Sequence, residues 1–123
     1  MFNWLKMTVI TVLAIFFASA SPVFAEYVAP GHHQHHAFYK QIQAELGVNG
    51  CCDDESRDCG PVADYVDLMA DGTKVLMEDN QWHLAQTRKF YVDTPDGRAH
   101  VCRQPVGLGS FSFYCIFLPN PSI

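Results

Sequence analysis

The chain has few basic residues. Eight lysines and arginines are outnumbered by thirteen aspartates and glutamates, and the formal net charge is −5 with neutral histidines. The sequence contains no clustered patch of lysine and arginine. Because nucleic acids and anionic membrane surfaces attract clustered positive charge, this composition predicts neither as a partner.

The sequence also lacks the short motifs of common catalytic sites. It has no Gly-x-Ser-x-Gly, no phosphate-binding glycine loop, no His-Glu-x-x-His and no Cys-x-x-Cys. A cysteine nucleophile would need a free thiol beside a histidine such as His83 or His100, which only folding could bring together. We therefore predict that the protein is not an enzyme and has no catalytic or cofactor-binding residues.

One long apolar run lies at the N-terminus. Lys6 precedes a run from Met7 to Ala20, and "SPVFA" then carries small residues at the two positions that a signal peptidase reads. The run is shorter than the roughly 20 residues that a membrane-spanning helix needs. We therefore predict a signal peptide over residues 1–25 and a periplasmic or secreted protein that has no membrane contact after cleavage.

Five cysteines follow the predicted cleavage site. A short chain buries only a modest core, and exported chains of this kind use disulfides for stability. Neighbouring cysteines rarely bond to each other, so Cys51 and Cys52 are expected to take different partners. One of this pair is expected to bond Cys59 or a strand cysteine, while Cys102 and Cys115 are each either a partner or the odd thiol. The spacing does not match a zinc site, so we predict disulfides.

The first three cysteines lie in an acidic segment. It also contains Asp53, Asp54, Glu55 and Asp58. Their spacing does not match the calcium-binding loop of an EF-hand. We therefore predict a solvated acidic loop without a metal.

A histidine-rich tract follows Pro30 and Gly31, which interrupt regular structure and predict a flexible arm over residues 26–34. Neutral imidazoles bind Cu(II), Ni(II) or Zn(II), so weak binding of these ions is expected and no other cofactor is predicted. His100, on the inferred face of Cys102, is interpreted as a satisfied, partly buried histidine. The candidate metal ligands are His32, His33, His35 and His36.

The remaining pattern predicts an α+β fold. Phe38, Ile42 and Leu46 recur at helical spacing, which predicts a short N-terminal amphipathic helix from about His35 to Leu46. Gly47 follows at the position of a C-terminal helix cap. Short apolar runs separated by turn signals then predict a small antiparallel β-meander stapled by disulfides. Residues 62–70 fit either a strand or a helix, and we favour a strand. The whole forms one domain over residues 35–123.

The most apolar late segment is "FSFYCIFL". Strict alternation would place one set of side chains on one face of a strand and the other set on the opposite face. A strand that is apolar on both faces is central or covered on both sides. The two predicted sets are Phe111, Phe113, Cys115 and Phe117, and Tyr114, Ile116 and Leu118.

Four motifs together resemble a family of small exported, cysteine-rich bacterial proteins that is uncharacterised. They are the His-x-x-Tyr segment His36 to Tyr39, "CC…DC.PV", "PDGRAHVC" and "YCIFLP". The resemblance covers about His36 to Pro119 and implies a shared exported, disulfide-stapled domain. It implies no activity, and the "GHHQHH" tract is not part of the pattern.

These observations predict an exported, non-enzymatic small domain that binds a protein or an envelope component. The alternative is a periplasmic metal-binding or metal-stress protein that uses the histidine-rich arm.

Overall fold

The computed structural model describes residues 27–52 and 57–121. The predicted signal peptide and the acidic residues Asp53, Asp54 and Glu55 lie outside this part. Within it, one helix and seven strands form a mostly β, α+β fold, and no helix there is long and apolar enough to cross a membrane. The elements are α1 (His32–Leu46), β1 (Asp58–Pro61), β2 (Asp64–Asp67), β3 (Gly72–Leu76), β4 (Trp82–Gln86), β5 (Arg88–Val92), β6 (His100–Pro105) and β7 (Phe111–Pro119).

Helix α1 begins at His32, three residues before the predicted start. Gly31 adopts a left-handed conformation with φ 79°, and the N–H of His32 donates to the carbonyl of Ala29 at 3.1 Å. Ala29 itself is buried, and its N–H donates to a carboxylate oxygen of Asp58 at 2.9 Å. Residues 27–34 are therefore held against the domain, where the sequence had predicted a flexible arm.

The helix ends as the sequence predicted, at Leu46. Gly47 is left-handed with φ 66°, and the N–H groups of Gly47 and Val48 donate to the carbonyls of Ala44 and Gln43. Such a glycine satisfies carbonyls that the last helical turn leaves without partners. The buried helical side chains are His32, Tyr39 and Ile42, whereas Leu46 at the far end is exposed.

The strands form two sheets, so the prediction of a single antiparallel meander was wrong. Strands β2, β3 and β4 form an antiparallel meander in that order, and the other sheet has the order β1-β6-β7-β5. Strand β5 runs parallel to β7, which pairs antiparallel with β6 on its other side. Alternation of apolar residues sets the faces of a strand but not its neighbours, so the sequence could not distinguish the two arrangements.

The predicted turns lie where the turn residues indicated. Strand β2 lies within residues 62–70 and pairs with β3 in a hairpin, which supports the strand interpretation of this segment. The N–H of Met77 donates to Gln81 around the Asp79–Asn80 turn, and the N–H of Gly97 donates to Thr94 at 3.5 Å.

The four-stranded sheet is covered on both faces. One core contains Tyr39 and Ile42 of α1 with Phe117 of β7, and a second contains Val75 and Ala85 of the meander with further β7 side chains. Helix α1 and the meander therefore lie on opposite sides of this sheet, which explains why β7 is apolar on both faces.

The faces of β7 are not the two predicted sets. In the register with β6, Cys102 opposes Cys115 and Arg103 opposes Phe113, so Tyr114 is the extra residue of a β-bulge. Tyr114 packs with Cys115 on the helix side, while Phe113 packs on the meander side. A bulge inserts one residue and thereby exchanges the faces beyond it, which strict alternation does not anticipate.

Candidate functional site

Helical geometry separates the four histidines that the sequence grouped. Successive residues of a helix lie about 100° apart, so adjacent histidines point in different directions, while residues four apart share a face. His32 is buried and its Nε2 lies 3.1 Å from Nδ1 of His36, whereas His33 is exposed. His35 faces the turn between β5 and β6. The tract therefore does not form a single four-histidine site.

His35 meets two residues that the sequence did not group with it. Its Nε2 lies 3.4 Å from Oδ2 of Asp96, and Nε2 of His100 lies 2.7 Å from the other oxygen of the same carboxylate. The two imidazole rings are 4.9 Å apart and nearly perpendicular. Helix α1, the Thr94–Gly97 turn and strand β6 each contribute one of the three side chains, whose ligand atoms lie within 4.8 Å of one another.

Tyr39 holds the other nitrogen of His100. The tyrosine hydroxyl lies 2.7 Å from Nδ1 of His100, and both side chains are buried. Metal-binding histidines almost always use their second ring nitrogen in a hydrogen bond, because this bond sets the tautomer and the orientation of the ring. Without a metal, Nε2 of a neutral His100 donates its proton to Asp96 and Nδ1 accepts from the Tyr39 hydroxyl. If the proton moved to Nδ1 and were donated to the oxygen of Tyr39, Nε2 of His100 would be free to bind a metal.

The protonation states favour the forms that bind metals. Burial lowers the pKa of His100, against the opposing effect of Asp96, and so favours the neutral imidazole. Burial alone would raise the pKa of Asp96, but hydrogen bonds from His100 and from the backbone of Arg98 outweigh it and lower the pKa. A neutral imidazole and an ionised carboxylate are the states that bind a divalent cation.

The cysteines form two groups on the helix side of the four-stranded sheet. Cys51 and Cys115 form a disulfide whose Cα atoms are 5.3 Å apart, which supports the prediction of a disulfide-bonded protein. The sulfurs of Cys52, Cys59 and Cys102 all lie within 4.8 Å of one another. We call these three residues the cysteine triad. As predicted, the adjacent Cys51 and Cys52 have different partners.

Asp58 is not part of a solvated loop, contrary to the sequence interpretation. It is buried, and its Oδ1 lies 2.6 Å from Nδ1 of His32, which is also 2.7 Å from the carbonyl oxygen of Cys59. His32, Cys52 and Asp58 form a second group with ligand atoms within 4.8 Å. His32 therefore belongs to the surroundings of the cysteine triad and not to the His35 site.

Sequence reasoning missed Asp96 and set His100 aside as a satisfied histidine. Asp96 is part of "TPDG", where an aspartate is explained fully by turn formation. The sequence signal that could have linked these two residues is their four-residue spacing across the end of that turn. This spacing does not correspond to a recognised metal-binding motif. The sequence predicted His35 as a ligand together with His32, His33 and His36, whereas the structure places it beside Asp96 and His100.

Comparisons with protein-family models, with curated proteins and with solved structures find no match to this chain. The resemblance to the cysteine-rich exported family stays a prediction.

Proposed function

We propose that the protein is an exported, non-enzymatic metal-binding domain whose site consists of His35, Asp96 and His100. The convergence of two imidazole nitrogens on one carboxylate carries this proposal. It retains the metal-binding alternative from the sequence but moves the site from the histidine tract to the junction of α1 and β6.

The separations fit a small divalent cation. Zinc binds histidine nitrogen and carboxylate oxygen at about 2.0–2.2 Å with tetrahedral geometry, which places two ligand atoms about 3.3 Å apart. The His35–Asp96 separation of 3.4 Å already matches this value. The His100–Asp96 separation of 2.7 Å is that of a hydrogen bond, and an ion would replace its proton and widen it slightly.

The donor set defines the class of ion. Two imidazoles and one carboxylate suit Zn(II), Cu(II) and Ni(II) better than Ca(II) or Mg(II), which prefer oxygen ligands. Three protein ligands leave a coordination position for water. The side chain of His100 is fully buried and that of Asp96 is 24% exposed, so solvent reaches the site from the side of Asp96.

The compartment is part of the proposal. The Cys51–Cys115 disulfide is typical of proteins from an oxidising compartment. A periplasmic or secreted location would supply such conditions and would also expose the site to ions that enter the cell envelope.

The test is titration of the protein with Zn(II), Cu(II) and Ni(II) by calorimetry. Because five cysteines cannot all pair, the remaining thiol is first alkylated so that sulfur ligands cannot compete. We expect one ion per chain, and an affinity that falls at least tenfold in Asp96→Asn and in His35→Ala. His33→Ala is the matched control, because His33 is exposed in the same tract and should have no effect.

His36→Ala distinguishes this site from a pair on the helix. His32 and His36 are also close and could bind an ion by themselves. If His36→Ala abolishes binding while Asp96→Asn leaves it unchanged, the proposed site is wrong. Absence of binding by all three ions would refute the proposed function as a whole.

A second candidate is the predicted binding of a protein or an envelope component, favoured by the outer face of the meander. Val66, Trp82 and Leu84 are 47%, 49% and 52% exposed there, around a shallow pocket of about 570 Å³ that Lys74 also lines. Exposed apolar side chains in a contiguous group are typical of interaction surfaces.

A photo-crosslinking residue at position 84, compared with one at the exposed Lys40 on α1, tests this candidate in the native host. We expect one discrete crosslinked product from position 84 that position 40 does not give. Equal products, or none, from the two positions would argue against the meander face as a binding surface.

A further inference from the structure

The cysteine triad contains three sulfur atoms, which can form only one disulfide bond among themselves. The sulfurs of Cys52, Cys59 and Cys102 all lie within 4.8 Å of one another, yet a sulfur atom forms only one disulfide bond. The chain has five cysteines, and Cys51 is bonded to Cys115. One member of the triad is therefore a thiol whenever the other two are bonded.

From this arrangement we propose that the triad is a thiol–disulfide exchange site, in which the bond of Cys59 alternates between Cys52 and Cys102. The site is separate from the metal site and does not depend on it. Its function is to move a single thiol between a partly exposed position and a buried one.

The backbone brings both pairings within reach. Cys59 on β1 lies directly opposite Cys102 on β6, with Cα atoms 3.9 Å apart. Cys52 precedes Cys59 by seven residues, and their Cα atoms are 6.0 Å apart. Disulfides span Cα separations of about 4.4–6.8 Å, so one pairing lies inside this range and the other just below it. Exchange therefore requires little backbone movement.

The chemical step is balanced within the chain. The thiolate of Cys102 attacks the sulfur of Cys59, the Cys59–Cys102 bond forms, and the Cys52–Cys59 bond breaks with Cys52 as the leaving thiolate. Cys102 has lost a proton and Cys52 takes one up. One disulfide and one thiol are present before and after, so neither an oxidant nor a reductant is consumed.

The two isomers present different surfaces. Cys102 is fully buried, whereas Cys52 is partly exposed, with His32 and Asp58 close to its sulfur. When Cys59 bonds Cys102, a reactive thiol is accessible at Cys52. When Cys59 bonds Cys52, the remaining thiol is hidden beneath the helix. The chemistry that would recognise the first isomer is a small-molecule or protein disulfide, or a thiol-reactive electrophile.

The experiment uses the purified, oxidised full chain and N-ethylmaleimide as the probe. Labelling under native conditions is stopped with acid after increasing times, and remaining thiols are blocked in denaturant with a heavier reagent. Trypsin then cleaves without reduction, which separates Cys59 on residues 58–74, Cys102 on residues 99–103 and Cys115 on residues 104–123 from the shared peptide 41–57. The two isomers give different linked peptides although Cys51 and Cys52 are adjacent.

At short times we expect both linkage patterns, with the native label on peptide 41–57. At long times we expect loss of the Cys52–Cys59 linkage. An alkylated Cys52 can no longer form a disulfide, so the isomer with the Cys59–Cys102 bond accumulates. A single linkage that does not change during labelling would overturn the proposal. So would purified protein in which all three triad cysteines are thiols bound to a metal.

Two matched variants lock the exchange. Cys102→Ser is expected to retain Cys52–Cys59 and to lose native labelling of Cys52. Cys52→Ser is expected to retain Cys59–Cys102. Each variant keeps one bridge in the triad, so both are expected to fold. If Cys102→Ser still labels at Cys52 as fast as the parent protein, the labelled thiol does not arise from exchange and the proposal is wrong.

Discussion

Tyr39 connects helix α1 to the candidate metal site through one hydrogen bond. Its ring is buried in the core on the helix side, and its hydroxyl forms a hydrogen bond with Nδ1 of His100. Burial raises the pKa of the Tyr39 hydroxyl, which keeps it protonated and uncharged at neutral pH. The residue therefore has a packing role and an orienting role that a single substitution can separate.

Tyr39→Phe is expected to preserve the ring and remove the orienting bond. Loss of an outer partner of a metal ligand typically lowers metal affinity by about 10–100-fold. The free energy of unfolding is expected to fall by about 1–3 kcal/mol, because Nδ1 of the buried His100 loses its partner. Calorimetric titration and urea denaturation of the same sample measure the two effects. Unchanged metal affinity would show that Tyr39 only packs against His100.

Asp67 and Lys89 join the two sheets by a polar contact. Nζ of Lys89 on β5 donates to Oδ1 of Asp67 at 2.7 Å and to the carbonyls of Leu68 and Gly72 in the β2–β3 turn. The hydroxyl of Tyr91 also donates to Asp67. The hydrogen bond from Lys89, followed by that from Tyr91, lowers the pKa of Asp67 below its ordinary value of 3.8.

The lowered pKa predicts a contribution to acid stability. A carboxyl group with a lower pKa in the folded state stabilises the fold above its unfolded pKa, and the contribution disappears as the pH falls through the folded value. Asp67→Asn should therefore lower stability at pH 7 by about 1 kcal/mol or less, because the carboxyl is largely exposed. As the pH falls below 3.8 and through the lowered folded pKa of Asp67, the variant and parent should converge in urea denaturation. A constant difference at every pH would contradict this account.

At the level of elements, strand β1 packs very closely against the segment before α1. A Cβ atom on Gly60 would lie 2.6 Å from the carbonyl oxygen of Pro30 and 3.0 Å from Cβ of Ala29. Only glycine allows this approach, which brings β1 close enough for the carbonyl of Cys59 to contact His32. The pairing of β1 with β6 places Cys59 opposite Cys102, so a shift of β1 would disturb the triad.

Gly60→Ala is expected to destabilise the protein by about 1–3 kcal/mol, because the backbone segments must separate. It should also alter the ratio of the two disulfide linkages. Gly72→Ala is the matched control, since a Cβ there meets only ordinary contacts at 3.4 Å or more. Thermal unfolding compares the two. Equal effects would show that the approach of Pro30 to Gly60 is not essential.

At the level of the whole molecule, the Cys51–Cys115 disulfide joins the segment after α1 to the central strand β7. The two residues are 64 positions apart, and both sulfurs lie in the core on the helix side. The bond closes a long loop of the unfolded chain, which includes the meander and three strands of the four-stranded sheet. A bridge across such a loop restricts the unfolded state strongly.

The paired change Cys51→Ala with Cys115→Ala is expected to lower the free energy of unfolding by about 2–5 kcal/mol. The same two residues do not belong to the triad, so exchange at Cys59 should continue in this variant. Urea denaturation with N-ethylmaleimide labelling checks both statements. A loss of stability below about 1 kcal/mol would show that packing of the two cores, and not this bridge, holds α1 to the sheet.

The sequence alone determined the kind of small domain that forms. Helical spacing and Gly47 predicted the helix and its end, and turn residues predicted the hairpins, because these signals act over a few neighbouring residues. The number and spacing of the cysteines predicted disulfides with different partners for Cys51 and Cys52. The odd thiol followed from the count alone.

Only the tertiary structure decided which residues meet. The extra residue at Tyr114 exchanged the faces of β7, and the parallel pairing of β5 with β7 divided the predicted meander into two sheets. The packing of the elements also places His35 next to Asp96 and His100. It brings the sulfurs of Cys52, Cys59 and Cys102 close together. Contacts between residues distant in the chain depend on how whole elements pack. A periodic sequence pattern indicates which face of an element is apolar, but it does not indicate which other element packs against that face.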